Sequence, residues 1–436
     1  MGRKNKSKII LQTPKGMHDI LPKEYAFYKA VYDKAEEIAN YYGFMPIVTP
    51  HLEKTELFSA SLGNTSDIVE KQMYTLKTRG GDKLVLRPEG TAPIMRSYIE
   101  NGMHAWPQPV MFQYSGSFFR HEKPQKGRFR EFQQFGLEII AEEKPVAEAI
   151  IIKVLSLILE ELNIRPIIVH VNSLGDKECR GLYRKELIAY YRKKINQVCK
   201  NCKKRYERNP LRLLDCKEEK CIEIKGGAPQ MLDYLCSNCK QHFKEVLEFM
   251  DSGDIPYFLN AHLVRGLDYY SRTVFEIFEE RPEYQNENNN GSSLALAAGG
   301  RYDYLAYALS NKNLPAAGGA LGVDRIVQLM MEREITIKAV KTPKIFFIQL
   351  GTAAKYKSLK IIEMFRKAHI PIMQSISKDT LKSQLRIASK LNMAYALILG
   401  QKEALENSII VKDMDSGTQD TIAIEKVVEY IKHKTL

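Results

Sequence analysis

The chain has 436 residues, 44% apolar and 27% charged, which is ordinary globular usage. At roughly 150 residues per domain this predicts two or three domains, each with enough core to fold without a disulfide or metal. The 65 Lys and Arg exceed the 52 Asp and Glu by 13, a surplus that suits a polyanionic partner or a solvated basic surface and says nothing of fold.

The longest apolar stretch, residues 146–162, is interrupted by Glu148, Lys153 and Ser156 and is too short to span a bilayer comfortably. The basic start MGRKNKSKIILQTPKG lacks a secretory apolar core. Seven cysteines are an odd number, which favours a reducing compartment. The expectation is a cytoplasmic protein with no membrane partner.

Residues 1–13 read as a loose basic tail. Over 22–42 the apolar positions Tyr25, Tyr28, Val31, Tyr32, Ala35, Ile38 and Ala39 recur every three or four residues, which predicts a helix stopped by Gly43. Residues 44–49 are then extended, with Pro46 and Pro50 marking an edge or a break. Strands are predicted over 83–87, 110–120 and 129–140, and an apolar helix over 148–162. Residues 176–255, rich in Lys, Arg and Cys, read as a mostly helical insertion into the main fold. Strand signals resume at Leu263 and over 273–278. The run EYQNENNNGSS is a polar loop, and an extended segment and a helix follow over 317–334. A boundary near 341–343 opens a last unit. There KIFFIQL, IPIMQS, YALILG and SIIVKDM alternate with helical stretches, as in a small α/β domain.

The glycine-rich nucleotide signatures G-x-x-x-x-G-K-[ST] and G-x-G-x-x-G are absent, and so is H-E-x-x-H. Phosphate chemistry would have to rest on side chains carried by a sheet. With a period of two, the strand over 129–140 puts Arg130, Phe132, Gln134, Gly136 and Glu138 on one face and Phe135, Leu137 and Ile139 on the other. The strand before it aligns Tyr114, Gly116, Phe118 and Arg120, and the basic loop HEKPQKGR joins the two as a hairpin. Such a face is either solvated surface or a ligand platform, and Gly136 suggests a close approach. LRPEGTAP, LVRGLDYYSRTVFE, AAGGRYDYL and GGALGVDRIVQLM add Arg87, Arg265, Arg301 and Arg325. Any one of these arginines alone reads more simply as a structural ion pair.

Together the segments resemble the histidyl-tRNA synthetase family of class II aminoacyl-tRNA synthetases over essentially the whole chain. PKGMHDILP, FMPIVTPHLE (motif 1), FRHEKPQKGRFREFQQFGLE (motif 2) and GGALGVDRIVQL (motif 3) carry the resemblance. RPEGTAP and LVRGLDYYSRTVFE narrow it to the histidine family. The resemblance implies an α+β catalytic core, an antiparallel sheet with helices, over 14–340 with the insertion at about 176–255. An anticodon-binding α/β domain would occupy 343–436. It further implies ATP and Mg²⁺, a homodimer, and a histidine-specific tRNA as partner.

By the same resemblance, Arg120 and Arg265 are the catalytic pair on the α-phosphate of ATP. Phe132 and Arg325 sandwich adenine, and Arg128 and Arg130 lie at the phosphate tail. Glu89, Gly90, Thr91 and Gln134 bind the histidine amino group, and Glu138 and Tyr270 read the imidazole. Tyr269 and Tyr302 line that pocket, and Pro50 sits at the dimer interface. The chemistry agrees, since histidine's carboxylate is already ionised at neutral pH. The obstacle is bringing one anion to another, which fixed guanidinium groups remedy. A pocket that hydrogen-bonds a polar side chain rejects analogues by roughly 10⁴–10⁵, so no editing domain is required. A rival reading is a histidine-sensing regulatory relative, which typically has lost these arginines.

Cys199-x-x-Cys202, Cys216-x₄-Cys221 and Cys236-x-x-Cys239 fall in the insertion. Two C-x-x-C pairs suit one tetrahedral structural zinc, and reduced metal-free thiols are the alternative.

Overall fold

The structure, a computed structural model, describes residues 11–63, 66–280, 294–337, 343–376 and 379–435. Most of the basic tail and all of the polar loop at 283–293 lie outside these. The chain divides into two compact units, Met1–Ile337 and Lys338–Leu436.

In the first unit, helix α1 (Pro22–Tyr41) starts with proline at its first position and buries Tyr28, Val31, Ala35, Ile38 and Ala39. It ends at Gly43, whose φ of 82° suits a residue without Cβ. Strand β1 (Met45–Pro46) follows, then β2 (Leu52–Lys54), α2 (Thr55–Leu62), β3 (Tyr74–Lys77), β4 (Lys83–Leu86) and α3 (Thr91–Glu100). Of the extended run expected over 44–49, only β1 is a strand, prolonged by Ile47 N–H donating to Gln113 O at 2.9 Å. Pro50 has no N–H to carry the ladder further.

The hairpin expected from motif 2 is β5 (Val110–Phe119) and β6 (Glu131–Ile140), paired from Val110↔Ile140 to Phe119↔Glu131. Next come α4 (Val146–Glu161) and β7 (Ile167–Ser173). Four helices follow, α5 (Lys177–Arg192), α6 (Lys200–Arg208), α7 (Glu219–Gly226) and α8 (Ser237–Ser252). Then come β8 (Tyr257–Leu259), β9 (Ser271–Glu279), β10 (Ala297–Arg301), α9 (Leu305–Ser310), β11 (Ala316–Gly322) and α10 (Val323–Glu332). The strand signal at Leu263 is not a strand. Leu263 is a buried loop residue whose carbonyl accepts from Asn172 Nδ2 at 3.0 Å. A short apolar run without alternation marks burial, and burial alone does not make a strand.

The main sheet runs β1-β5-β6-β11-β10-β9-β7-β8, with a separate small sheet β2-β4-β3. It is antiparallel except for the β1/β5 and β7/β8 pairs at its two ends. One face packs Phe135, Leu137, Ile139, Phe275 and Ile277 against α1, α4 and α10 in the largest core. The other face packs Tyr114, Phe118 and Val274 with residues of α2, α3 and α9. The period-two reading of β6 therefore places Phe135, Leu137 and Ile139 in one core and Glu138 on the opposite face, as expected. Helices α5–α8 have a small core of their own.

The second unit comprises β12 (Ile345–Gln349), α11 (Gly351–Lys367), β13 (Ile372–Gln374), α12 (Leu381–Lys390) and β14 (Tyr395–Leu399). It continues with α13 (Gln401–Glu406), β15 (Ser408–Asp413), β16 (Gln419–Ala423) and α14 (Val427–Thr435). Its sheet, β13-β12-β14-β15-β16, has a parallel core of three strands and an antiparallel β15/β16 edge. Buried Phe347, Leu397, Ile361 and Phe365 knit the sheet to α11. Among the described residues no helix is long and apolar enough to cross a membrane.

Candidate active site

The site rises from the second face of the main sheet, where β6 delivers Glu138 into complete burial. Thr91 Oγ1 donates to Glu138 Oε1 at 2.7 Å and Tyr114 Oη to the same oxygen at 3.4 Å. Tyr302 Oη donates to Oε2. Burial pushes the Glu138 carboxyl up to about 8, although hydrogen bonds from Tyr302 and Thr91 oppose the shift. The carboxyl can occupy this depth because Gly318, opposite it on β11, has no Cβ to collide with Oε2.

The close approach suggested by Gly136 is that of the Tyr114 ring. This ring lies against both Gly136 and Gly90, so a Cβ at either would strike it. The two glycines thus make room for a protein side chain that holds Glu138.

Glu89 sits just before α3, where Thr91 N–H donates to its Oε2 at 2.7 Å and Ala92 N–H to its Oε1 at 3.0 Å. A carboxylate at this position satisfies helix N–H groups that have no intrahelical acceptor. Burial raises its pKa, opposed by these backbone bonds and the charge of Arg120. Tyr269 Oη approaches Glu89 Oε2 at 3.4 Å, and the Tyr269 ring lies 4.8 Å from that of Tyr270 and 5.7 Å from that of Tyr302. Glu89, Thr91, Glu138, Tyr269, Tyr270 and Tyr302 therefore form one buried polar cluster ringed by tyrosines. Gln134 lies half-buried on the same face of β6, registered between Gly116 and Gly322.

Arg120 and Arg265 stand beside this cluster. Arg120 donates Nε to Pro88 O at 2.8 Å, and its guanidinium covers the Phe132 ring at 5.2 Å. Burial lowers its pKa; Glu122, Glu89 and Tyr269 oppose that shift, while the charge of Arg265 adds to it. Arg265 pairs with Glu276 of β9 and lies 5.7 Å over the Tyr270 ring, and its buried Nε has no hydrogen-bond partner among the described residues. Burial works to lower the Arg265 pKa, but Glu276 and the two tyrosines outweigh it. Arg325 donates to Gly127 O at 3.0 Å and Ala295 O at 2.5 Å. Burial and the nearby charges of Arg128 and Arg120 pull it down to about 10. Four guanidinium groups thus crowd one region, the arrangement expected where a polyanion binds.

Arg130 stands apart from them. Its Nε donates to Glu122 O at 3.1 Å and its Nη1 to Lys15 O at 3.3 Å, so it ties the motif 2 loop to the chain before α1. Arg130 precedes β6, which starts at Glu131, so the strand face expected over 129–140 does not extend to it, and these carbonyls hold its guanidinium.

Glu276 and Asp324 have no role in the sequence reading. Glu276 is the one charged residue inside an otherwise apolar stretch of β9, and that isolation was its signal. Asp324 accepts from Tyr28 Oη at 2.7 Å and from Gln133 N–H at 2.6 Å, locking the start of α10, and with it Arg325, to β6 and α1. Arg87 is buried, donates to Ser117 O and Thr49 O, and lies 4.5 Å over the Phe118 ring, so it fastens motif 1 to β5. Arg301 is the structural ion pair that a single arginine suggested. It is fully buried and grips Glu148 of α4 with two bonds, at 2.6 and 2.8 Å.

The cysteines do not join the two C-x-x-C pairs in one place. Cys199 and Cys202 meet Cys216 and Cys221, whereas Cys236 and Cys239 meet Cys179 and Asp176. Spacing alone pointed to one site because it carries no information on which distant segments meet.

The sequence pattern of a family described as "Histidyl-tRNA synthetase" matches residues 16–326, and that of an "Anticodon binding domain" matches residues 344–434. The chain is 41% identical to a "Histidine--tRNA ligase" of Syntrophotalea carbinolica, over 97% of this chain and 98% of that relative. A protein of the same description from Dehalococcoides mccartyi is 40% identical, over 97% and 99%. Among solved structures, the apo histidyl-tRNA synthetase of S. aureus superposes with a TM-score of 0.78 at 30% identity, covering 97% of this chain and all of that one.

Proposed function

The chain belongs to the histidyl-tRNA synthetase family, and from that premise we propose which of its residues run the reaction. The enzyme joins histidine to its tRNA in two steps, through histidyl-adenylate. In the first, an oxygen of the histidine carboxylate attacks the α-phosphorus of ATP, the bond to the bridging oxygen of the β-phosphate breaks, and pyrophosphate leaves. In the second, a hydroxyl at the 3′ end of the tRNA attacks the activated carbonyl and AMP leaves.

Arg120 and Arg265 flank the α-phosphate and neutralise the charge that builds there. Arg120 is fixed to Pro88 O beside Glu89, Arg265 lies over the Tyr270 ring, and Tyr269 joins the two by reaching Glu89 and packing on Tyr270; this shared place is the observation that carries the reading. In-line transfer at phosphorus depends mainly on positioning and charge neutralisation, which suits two guanidinium groups anchored by Pro88 O and Glu276. Phe132 and Arg325 hold the adenine, with Arg128 toward the outer phosphates. Arg130 acts through the loop that it ties down. Glu122, a carboxylate beside Arg325, would offer a hard oxygen donor that suits the Mg²⁺ accompanying ATP. That ion supplies charge neutralisation on the phosphates. Zinc is structural in this reading, held among α5–α8 and not at phosphorus.

Glu89, with Gly90, Thr91 and Gln134, receives the histidine ammonium, and Glu138 with Tyr270 receives the imidazole. Exposed Tyr41, Met45, Val48 and Leu52 flank Pro50 along the chain and support a homodimer through this segment. The second unit contacts the tRNA anticodon, and the enzyme works in the cytoplasm.

The test is histidine-dependent ATP–pyrophosphate exchange. Exchange absent while both ligands bind would favour the regulatory rival. Removing residues 343–436 is expected to spare exchange and to reduce tRNA charging much more; equal losses would refute the anticodon role.

Glu138 also sets a pH dependence. It titrates near 8 in the empty enzyme, and free imidazole titrates at about 6.5. Between those values carboxyl and imidazole share one proton, which is what a paired carboxylate and imidazolium hold. Below about 6.5 a proton must be shed on binding, and above about 8 one must be taken up. Histidine affinity is expected to peak within this window and fall by up to about tenfold per pH unit on either side. An affinity that stays flat from pH 5.5 to 9 would remove Glu138 from the imidazole.

A further inference from the structure

We propose that helices α5–α8 hold two zinc ions. One is bound by Cys199, Cys202, Cys216 and Cys221, the other by Asp176, Cys179, Cys236 and Cys239. In each set the four donor atoms lie within 4.8 Å of one another. A tetrahedron with Zn–S of about 2.3 Å and Zn–O of about 2.0 Å has S···S edges of about 3.8 Å and O···S edges of about 3.5 Å. Cys199 Sγ and Cys216 Sγ are 3.8 Å apart. Asp176 Oδ2 lies 3.5 Å from Cys236 Sγ and 3.3 Å from Cys239 Sγ.

One local device occurs three times. Cys199 and Cys236 are the residues that precede the first turns of α6 and α8, with near-identical backbone angles, and each is followed three residues on by a second cysteine. Asp176 takes the same place before α5, followed by Cys179. Its Oδ1 accepts from Cys179 N–H at 2.9 Å, which leaves Oδ2 for the metal. Helix starts favour anionic sulfur and oxygen ligands. Backbone N–H groups reinforce them, from Cys199 to Cys221 Sγ at 3.2 Å, from Cys202 to Cys199 Sγ at 3.3 Å and from Cys236 to Cys179 Sγ at 3.1 Å. Outer donors of this kind hold metal-bound thiolates in place.

The odd cysteine count now has an explanation. Four plus three thiols use all seven cysteines, and the carboxylate of Asp176 supplies the eighth ligand. Six of the sixteen buried residues in the small core of the region are these cysteines, so without metal more than a third of that core would be thiols. The second site also clamps the two ends of the region, since Asp176 follows β7 and α8 leads back to β8. Next to Cys179, Arg180 donates to Tyr270 O, so this clamp reaches the backbone of the amino-acid pocket.

The proposal does not depend on the catalytic assignment, and its test reads metal. Full-length protein purified without chelator is expected to contain about two zinc ions per chain by elemental analysis. Cys202→Ala and Cys239→Ala should each lower this to about one. Should a variant fail to fold, the wild-type protein titrated with a mercurial thiol reagent and a zinc indicator should release both ions as its seven thiols react. Cobalt substitution should give sulfur-to-metal absorption divided four to three between the sites. Fewer than two zinc ions, iron in their place, or zinc retained after all thiols are blocked would overturn the proposal.

Discussion

Arg265→Ala is expected to slow histidine-dependent pyrophosphate exchange by about 10³-fold, because it removes a fixed charge from phosphorus at the moment a second anion arrives. The defect should fall on adenylate formation, with histidine binding within a few-fold of normal, since the amino-acid pocket is walled by Glu89, Glu138 and the tyrosines. The loss has two parts. Glu276, which pairs with Arg265, would be left as an uncompensated carboxylate facing the phosphates. Arg265→Ala combined with Glu276→Gln should therefore recover part of the rate. Arg265→Lys should recover little, because an ammonium offers a point charge in place of a planar fork. Near-normal exchange in Arg265→Ala would refute the role.

Arg301→Met is expected to destabilise the first unit by about 3–5 kcal/mol, the cost of leaving a buried charge unpaired. Arg301 and Glu148 are both fully buried, and His242 Nε2 adds a third contact to Glu148 Oε1 at 2.6 Å. Burial works to raise the Glu148 pKa, but the charge and hydrogen bonds of Arg301 outweigh it and hold the carboxyl down at about 2. A depressed carboxyl pKa contributes stability that is fully present above its unfolded value of about 4.5 and is lost as pH falls toward 2. The melting temperature of Arg301→Met should drop by on the order of 10 °C. Below pH 4 the wild-type protein should lose stability faster than an Arg301→Met/Glu148→Leu double variant, in which the charge pair is gone. Equal melting curves at pH 7 would show that the pair is dispensable.

The strands and helices that carry the proposed site were legible in the chain because local rules governed them. A period of two placed Phe135, Leu137 and Ile139 in the core and Glu138 opposite them. The three- and four-residue spacing of α1 was as plain, and the basic loop between Arg120 and Arg130 had to be a hairpin tip. The motifs carrying Arg120, Arg265 and Arg325 were readable as residue strings.

What escaped was every property set by which distant segments meet. Arg130 lies just before β6 and outside the strand expected from the period of two, and its guanidinium is held by carbonyls of Glu122 and Lys15. Gly136 signalled a close approach, but only the folded sheet identifies Tyr114 as the group that approaches. Seven cysteines in one string could not reveal that Cys179 joins Cys236 and Cys239, nor that Asp176 completes the set. Strand and helix periodicity is written locally, because neighbouring residues share one backbone geometry. The partners of a charge or a thiol depend on chain closure over long separations, and that is settled only when the sheet brings β5, β9 and β11 together and α8 returns to α5.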